Sequence, residues 1–347
     1  MKTYLIEDKK YYKANLHTHT TNSDGTMSPE EVKEWYKKLG YDIVAFTDHT
    51  YIEDYNARLS DENFIAINGY ENAVLSVKSP DDYKIYESPE YHFCFFIKDK
   101  NNLKMDGINT LDFERWQKKK NLPNRKDMLF DGKLLRTKYK ISSINKMIKR
   151  ASEHGYLVQY NHPMWSLHTD KDYETLKGLW GVEVFNNSSY VNGIDDCTAR
   201  HLEVLSRRGE KVCAIASDDS HSWQRIGGGF NYIGAKELTY DAVIDAMIKK
   251  DLYASTGPTF EYIYVEDGKA YVKSSEVLKI SMMVDKRCCK TTGFEVDEEN
   301  MVVDKTRTGN QAQFNIYPNA MYIRFELVDK NGNKAWTRAY FREEWQK

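Results

Sequence analysis

Six of the nine histidines stand in short motifs that also carry acids: His17-Thr18-His19, Ser23-Asp24-Gly25, Thr47-Asp48-His49, Gly69-Tyr70-Glu71, an isolated His92, Asn161-His162-Pro163, and Asp218-Asp219-Ser220-His221. Imidazole nitrogens and carboxylate oxygens are the donors that ions such as Zn, Mn and Fe accept. In an extended strand side chains alternate, so His17 and His19 point the same way and can reach one ion. Singly, each motif has an ordinary reading. H-x-H describes two half-buried histidines, Asp24 a turn residue, and Glu71 an acid solvated at a strand end. Six histidines and three carboxylates recurring at successive strand ends point instead to a shared site.

The elements that must position them are short apolar runs: Ala14 to His17, Asp42 to Thr47, Phe64 to Glu71, Tyr91 to Ile97, Tyr156 to Asn161, Val182 to Phe185 and Val212 to Ser217. Helical patterns lie between several of them. Ser28-Pro29-Glu30-Glu31 supplies an N-cap, a first-turn proline and a capping-box acid, with a stop at Gly40. Ile141 to His154 stops at Gly155, and Asp195 to Arg208 stops at Gly209. The alternation predicts parallel strands with crossover helices, in a closed barrel or a large open α/β sheet. The motifs fall at or just beyond strand ends, with His92 opening the fourth strand. Residues from different strands converge on that rim of a barrel.

The order H-x-H, S-D-G, T-D-H, E, H, N-H-P and D-x-H, spread over residues 12 to about 255, resembles the PHP (polymerase and histidinol phosphatase) family of metal-dependent phosphoesterases. The resemblance implies an α/β fold, a distorted (β/α)7 TIM-like barrel holding two or three divalent ions. It implies a first ion on His17, His19, Glu71 and Asp219, a second bridged by Glu71 to His92 and His162, and a third on Asp24, His49 and His221. The residues alone leave Asp218 and Asp219 open as the acid of their doublet; the family pattern, with the acid two before the histidine, selects Asp219. Asp48 and Asp218 are the candidates for catalytic roles, Asp48 by orienting His49 or another ligand. Asn186, Arg200 and Arg225, which follow the sixth and seventh strands, are candidates for substrate contacts.

The implied activity is hydrolysis of a small anionic phosphorylated metabolite or nucleotide by a metal-bridging hydroxide at a di- or trinuclear site. Three other readings compete: an amidohydrolase-like C–N hydrolase, a polymerase-associated nuclease, and a non-catalytic binding protein that uses its C-terminal β segment.

Two regions stand apart from the barrel pattern. Residues 99–140 exceed an ordinary connection and read as a part-helical insertion. After Ser255-Thr256-Gly257-Pro258 the sequence alternates with period two, with hairpin signals at Asp267-Gly268 and Asn331-Gly332, so residues 258–347 read as a small all-β domain following a hydrolase domain at 1–257. The 50 basic and 52 acidic residues give a formal net charge of −2, against bulk nucleic-acid binding. That total conceals a local +11 between Arg115 and Arg150, which leaves −13 elsewhere. From Arg115 to Lys140 this basic segment either overhangs the rim and attracts anionic substrates or forms a solvated lysine-rich helix and loop. Five cysteines without metal or disulfide spacing, and no long apolar stretch, predict a cytoplasmic protein with reduced thiols and no membrane or stable nucleic-acid partner.

Overall fold

Every one of the seven apolar runs forms a strand in the computed structural model, which describes residues 2–120, 125–292, 295–297, 302–304 and 308–346. After a first strand, β1 (Thr3–Ile6), they are β2 (Tyr12–Asn15), β3 (Ile43–Phe46), β4 (Ile65–Leu75), β5 (Glu90–Ile97), β6 (Tyr156–Tyr160), β7 (Gly181–Asn186) and β8 (Cys213–Ser217). The runs are continuously apolar because β3 to β8 are buried at every position, with other elements covering both faces. Two further strands that the sequence pattern did not announce, β9 (Phe230–Ile233) and β10 (Leu252–Ser255), extend the sheet from β2.

Strand direction departs from the all-parallel expectation. β2, β3 and β4 are parallel, as are β6, β7 and β8, but β5 runs antiparallel between β4 and β6. The cause lies in the connection before it. A parallel return needs a crossover, usually a helix, whereas residues 76–89 carry only a short 3-10 turn, Pro80–Asp82. The reversal puts the first residues of β5 beside the far end of β4, with His92 opposite Ala73.

A closed barrel is not what the ladders form. Among the described residues the sheet order runs β10-β9-β2-β3-β4-β5-β6-β7-β8, and β8 ladders with neither β2 nor β9. Side-chain amides join β8 to β9 and β2 instead. Asn231 on β9 donates to the Ala216 carbonyl at 2.8 Å and accepts from the Ala216 N–H at 3.1 Å, while Asn15 on β2 accepts from the Asp218 N–H at 2.9 Å. Beyond the strand ends, His19 N–H donates to the Ser220 carbonyl at 2.9 Å and Asp219 N–H to the His17 carbonyl at 3.0 Å.

Helix α1 (Pro29–Lys38) starts as its sequence dictates, with Ser28 and Glu31 forming a reciprocal capping box. A short α2 (Tyr55–Leu59) follows β3, and α3 (Thr110–Lys120) is the helical part of the insertion. Met105, Ile108, Phe113 and Leu129 of that insertion are buried in the same core as β5 and β6, so it is packed structure. α4 (Ile141–Glu153) ends before Gly155, whose φ of +95° suits the left-handed cap. The helix expected from Asp195 begins only at Arg200. The carboxylate of Asp196 is engaged elsewhere, accepting from the N–H groups of Met164 and Trp165.

Beyond residue 257 the described chain is strands up to a terminal helical turn, Arg342–Trp345. Asp267 and Gly268, both at positive φ, make the tight turn between β11 (Phe260–Glu266) and β12 (Lys269–Val277). These strands do not stand alone. β1 pairs with β11, and Lys334–Trp336 pairs with β10. Among the described residues, no helix is long and apolar enough to cross a membrane.

Asn231 is fully buried, and Asn231→Ala would strand a donor and an acceptor at the seam between β8 and β9. The expected loss is about 2–4 kcal/mol of folding stability, read from chemical denaturation at unchanged m-value.

Candidate metal centre

The rim where these strands end carries a buried cluster of nitrogen and oxygen donors. His17 and His19 follow β2, and both imidazoles are fully buried. Asp24 comes from the loop after them and His49 from just beyond β3. Glu71 lies within β4, which continues four residues past it, and His92 lies near the start of β5. His92 reaches this rim only because β5 runs backwards. His162 follows β6, and Asp219 and His221 follow β8. His162 and Asp219 have positive φ, +22° and +50°, a strained setting for residues with a side chain and one typical of functional positions.

His17 Nε2 lies 3.3 Å from Glu71 Oε1, 3.3 Å from Asp219 Oδ1 and 3.2 Å from His19 Nε2. His19 Nε2 is in turn 3.3 Å from Glu71 Oε2 and 3.1 Å from Asp219 Oδ1. Donors bound about 2.1 Å from a common ion sit roughly 3.0–3.4 Å apart, so this spacing suits a shared cation. Glu71 Oε1 is 3.0 Å from His92 Nδ1 and 3.5 Å from His162 Nε2. Asp24 Oδ1 is 3.4 Å from His221 Nε2 and 3.8 Å from His49 Nε2. The structure therefore brings all nine ligand candidates together, with more overlap than three separate sets imply. His49 Nδ1 also faces Glu71 at 3.3 Å, His19 joins the group around Asp24, and His162 groups with His17 and Asp219.

The residues behind these donors were mostly missed in the sequence. Glu183 accepts from His17 Nδ1 at 2.8 Å, leaving Nε2 for an ion, and its other oxygen accepts from the His162 N–H at 2.9 Å. An acid inside the apolar run Gly181–Asn186 was the available signal. Asn161 donates to Glu71 at 2.7 Å, and Glu90 faces His92 Nε2 at 3.3 Å.

Of the two acids given catalytic roles, neither is brought to the donors. Asp48 accepts from Thr20 N–H and Oγ1 at 2.8 Å, from Ser23 Oγ at 2.6 Å, and from Tyr55 of α2. It holds the loop that presents Asp24, so what it reaches is the support of a ligand other than His49. Asp218 accepts from the N–H groups of Gly227, Gly228 and Gly229 at 2.8–2.9 Å, and burial raises its pKa to about 6.

Among the proposed substrate contacts, Asn186 is buried and donates to Asp219 and Glu183, Arg200 pairs with Asp170 on the surface, and Arg225 donates to Asn192. Asn192 does line the pocket over the cluster, with Ser188, Tyr83, Ile85, Arg115, Trp116 and Trp165. Of the basic segment, Arg115 reaches this pocket but is already paired with Glu90 and Asp112, and Lys118 pairs with Asp81 at the surface. The side chains of Lys119, Lys120, Arg125 and Lys126 lie outside the described residues.

The electrostatics call for cations. Burial disfavours every charge here, yet the carboxylates keep their protons off: Glu71 is held well below the usual range by His92, His17 and His49 against that burial, and Asp24 by His49 and His221. Some of the imidazoles compensate, while burial pushes His49 the other way. Against the same burial, Asp219 and Glu71 raise His19 to about 10, and Glu71 and Glu90 raise His92 to about 10. A largely buried set of six nitrogen and three oxygen donor groups, whose balancing charge includes protons on His19 and His92, fits divalent ions, which would take the protons' place.

The PHP domain model matches residues 15–108, the stretch that carries the motifs from His17 to His92. The family resemblance read from those motifs therefore holds. No curated protein matches the chain. Similar solved structures include a two-domain protein containing a predicted PHP-like metal-dependent phosphoesterase from Bacteroides vulgatus, 12% identical, covering 97% of this chain and 98% of that one at a TM-score of 0.43. An amidohydrolase from Chromobacterium violaceum is 16% identical, covering 60% and 87% at 0.38, and a lesion-specific endonuclease from Pyrococcus furiosus is 16% identical, covering 68% and 56% at 0.39. Likenesses this distant decide nothing about chemistry, which rests on the site's own residues.

Two outcomes are expected. Ion binding requires neutral imidazoles, and His19 and His92 hold protons up to a pKa of about 10 in the metal-free protein. Binding of Mn²⁺ or Zn²⁺ near pH 7 will thus release protons, and affinity will fall as pH is lowered. Calorimetry in two buffers of different ionisation enthalpy measures the release. Asp48→Ala frees the loop carrying Asp24, so one ion should bind about 10-fold or more weakly while the others are retained, counted by metal analysis after dialysis.

Proposed function

We propose that the protein is a metal-dependent phosphoesterase that hydrolyses a small phosphorylated metabolite or nucleotide. The observation carrying this reading is the clustering of His17, His19, Asp24, His49, Glu71, His92, His162, Asp219 and His221, all but the deeper His17 and His19 lining one pocket. Divalent ions held by these residues would supply Lewis acidity that polarises a phosphoryl oxygen and acidifies a water at neutral pH. The chain's own contribution is to hold the donors in place. Glu183 fixes the tautomer of His17, Asn161 orients Glu71, and Asp48 holds the loop of Asp24.

The pocket measures about 160 Å³. It admits the reacting group, with the rest of the substrate at the mouth beside Tyr83, Ile85 and Trp165. The described cationic side chain in the pocket, Arg115, is neutralised by two acids, so substrate charge would be met by the ions. Excess positive charge from two or three divalent ions over three carboxylates suits a phosphate monoester, near −2 at neutral pH.

The test is phosphate release from an aryl phosphate, nucleoside monophosphates, 3′,5′-bisphosphates and sugar phosphates, in Mn²⁺ or Zn²⁺. Chelation should abolish turnover and added metal restore it. His17→Ala with His19→Ala should lower kcat/KM by roughly 10³-fold or more, the equivalent of several kcal/mol of lost transition-state stabilisation. Activity near wild type in that variant refutes the site. Metal-dependent cleavage of C–N substrates without phosphate release replaces the proposal with an amidohydrolase.

A further inference from the structure

We infer that the insertion helix α3 is a structural part of the metal centre, its Arg115 and Trp116 positioning ligand imidazoles, so that ion binding and docking of this helix stabilise one another. The inference rests on the cluster being a divalent-metal site.

Adjacent residues on a helix point about 100° apart, from 3.6 residues per turn, so a helix lying on a surface normally buries one of two neighbours. Here both are buried, Arg115 at 8% exposure and Trp116 at 2%. A buried guanidinium is costly unless its donors are paired. Arg115 Nη1 donates to Glu90 Oε2 at 2.9 Å, and Nη2 lies 2.8 Å from Asp112 Oδ1. Its face lies over the Tyr83 ring, 4.7 Å from the centroid. Glu90 Oε2 is also 3.3 Å from His92 Nε2, whose other nitrogen meets Glu71 at 3.0 Å. A continuous polar chain thus runs from the insertion to the central carboxylate: Arg115, Glu90, His92, Glu71. Two acids claim the charge of Arg115, which fits it to hold Glu90 rather than to receive a substrate anion.

Trp116 makes the second connection. Its ring stacks on His49 at 4.4 Å and 16°, His49 stacks on His19 at 4.5 Å and 24°, and His19 stacks on His221 at 4.3 Å and 26°. Trp116 caps a column of three imidazoles that all face Asp24. A capped ring cannot swing out of the column without displacing the tryptophan. Whatever α3 gains by docking on correctly turned imidazoles, bound ions must gain from a docked α3, since linkage is reciprocal.

The metal-free chain and its Arg115→Ala, Glu90→Gln and Trp116→Leu variants are titrated with Mn²⁺ by calorimetry. Hydrogen exchange of α3 is followed with and without Mn²⁺, and the melting temperature of each metal-free variant is recorded. Expected are slower exchange of α3 when wild type binds Mn²⁺, and binding of at least one ion weakened about 10–100-fold in the variants. Glu90→Gln keeps size and an acceptor for Arg115, so it covers the case in which Arg115→Ala fails to fold. A purely structural role lowers the melting temperature of the metal-free variants and leaves ion affinity unchanged. That result, or α3 exchange indifferent to bound Mn²⁺, overturns the inference while the metal-site reading stands. Wild type that binds no Mn²⁺ or Zn²⁺ overturns both.

Discussion

The concentration of buried negative charge around Glu71 is the constraint on which the site depends. Glu71, Asp219, Glu183 and Glu90 are all buried within a few side chains of one another, with Asp24 at the mouth. Desolvation on that scale is tolerated only if each oxygen faces a donor or a cation. The six imidazoles, the Asn161 amide, the His162 N–H and the Arg115 guanidinium meet that requirement. The same demand suits the cluster to divalent ions, which would take the place of protons on the imidazoles.

Backbone direction decides which residues can answer that charge. β5 reverses because no helix precedes it, and the reversal turns the opening of a strand into a rim position for His92. Next to it Glu90 is placed where Arg115 can reach it. At the other side, amide side chains and a few backbone bonds beyond the strand ends hold β8 to β2 and β9 where no ladder does. Those bonds connect residues that flank His17, His19 and Asp219, so the seam also fixes the distance between the first and last motifs.

The basic insertion illustrates the limit of counting charge along a chain. The local excess of +11 between Arg115 and Arg150, which starts within it, invites an electrostatic role. In the folded protein Arg115 is enclosed by two acids, Arg150 pairs with Asp106, and Lys118 with Asp81. Part of the excess is thus spent in holding the insertion to the core. The share that reaches the site does so by orientation of a histidine, one carboxylate removed from any ion.

By itself the sequence determined the candidate donors, with the family pattern needed to choose Asp219 over Asp218, together with the seven strands and the hairpins of the C-terminal segment, because strands and hairpins depend on residue type and near-neighbour spacing. H-x-H on a strand, an acid after an apolar run and Asp-Gly between alternating stretches are local signals, and local physics enforces them. Tertiary structure alone decided what depends on partners far along the chain. The direction of β5, the seam bridged by Asn231, the anchoring of Asp48 to the Asp24 loop and of Asp218 to a glycine turn, and the recruitment of Glu183, Glu90 and Trp116 are of this kind. Side-chain hydrogen bonds and ring stacking join residues separated by tens to hundreds of positions, and spacing along the chain carries no record of them.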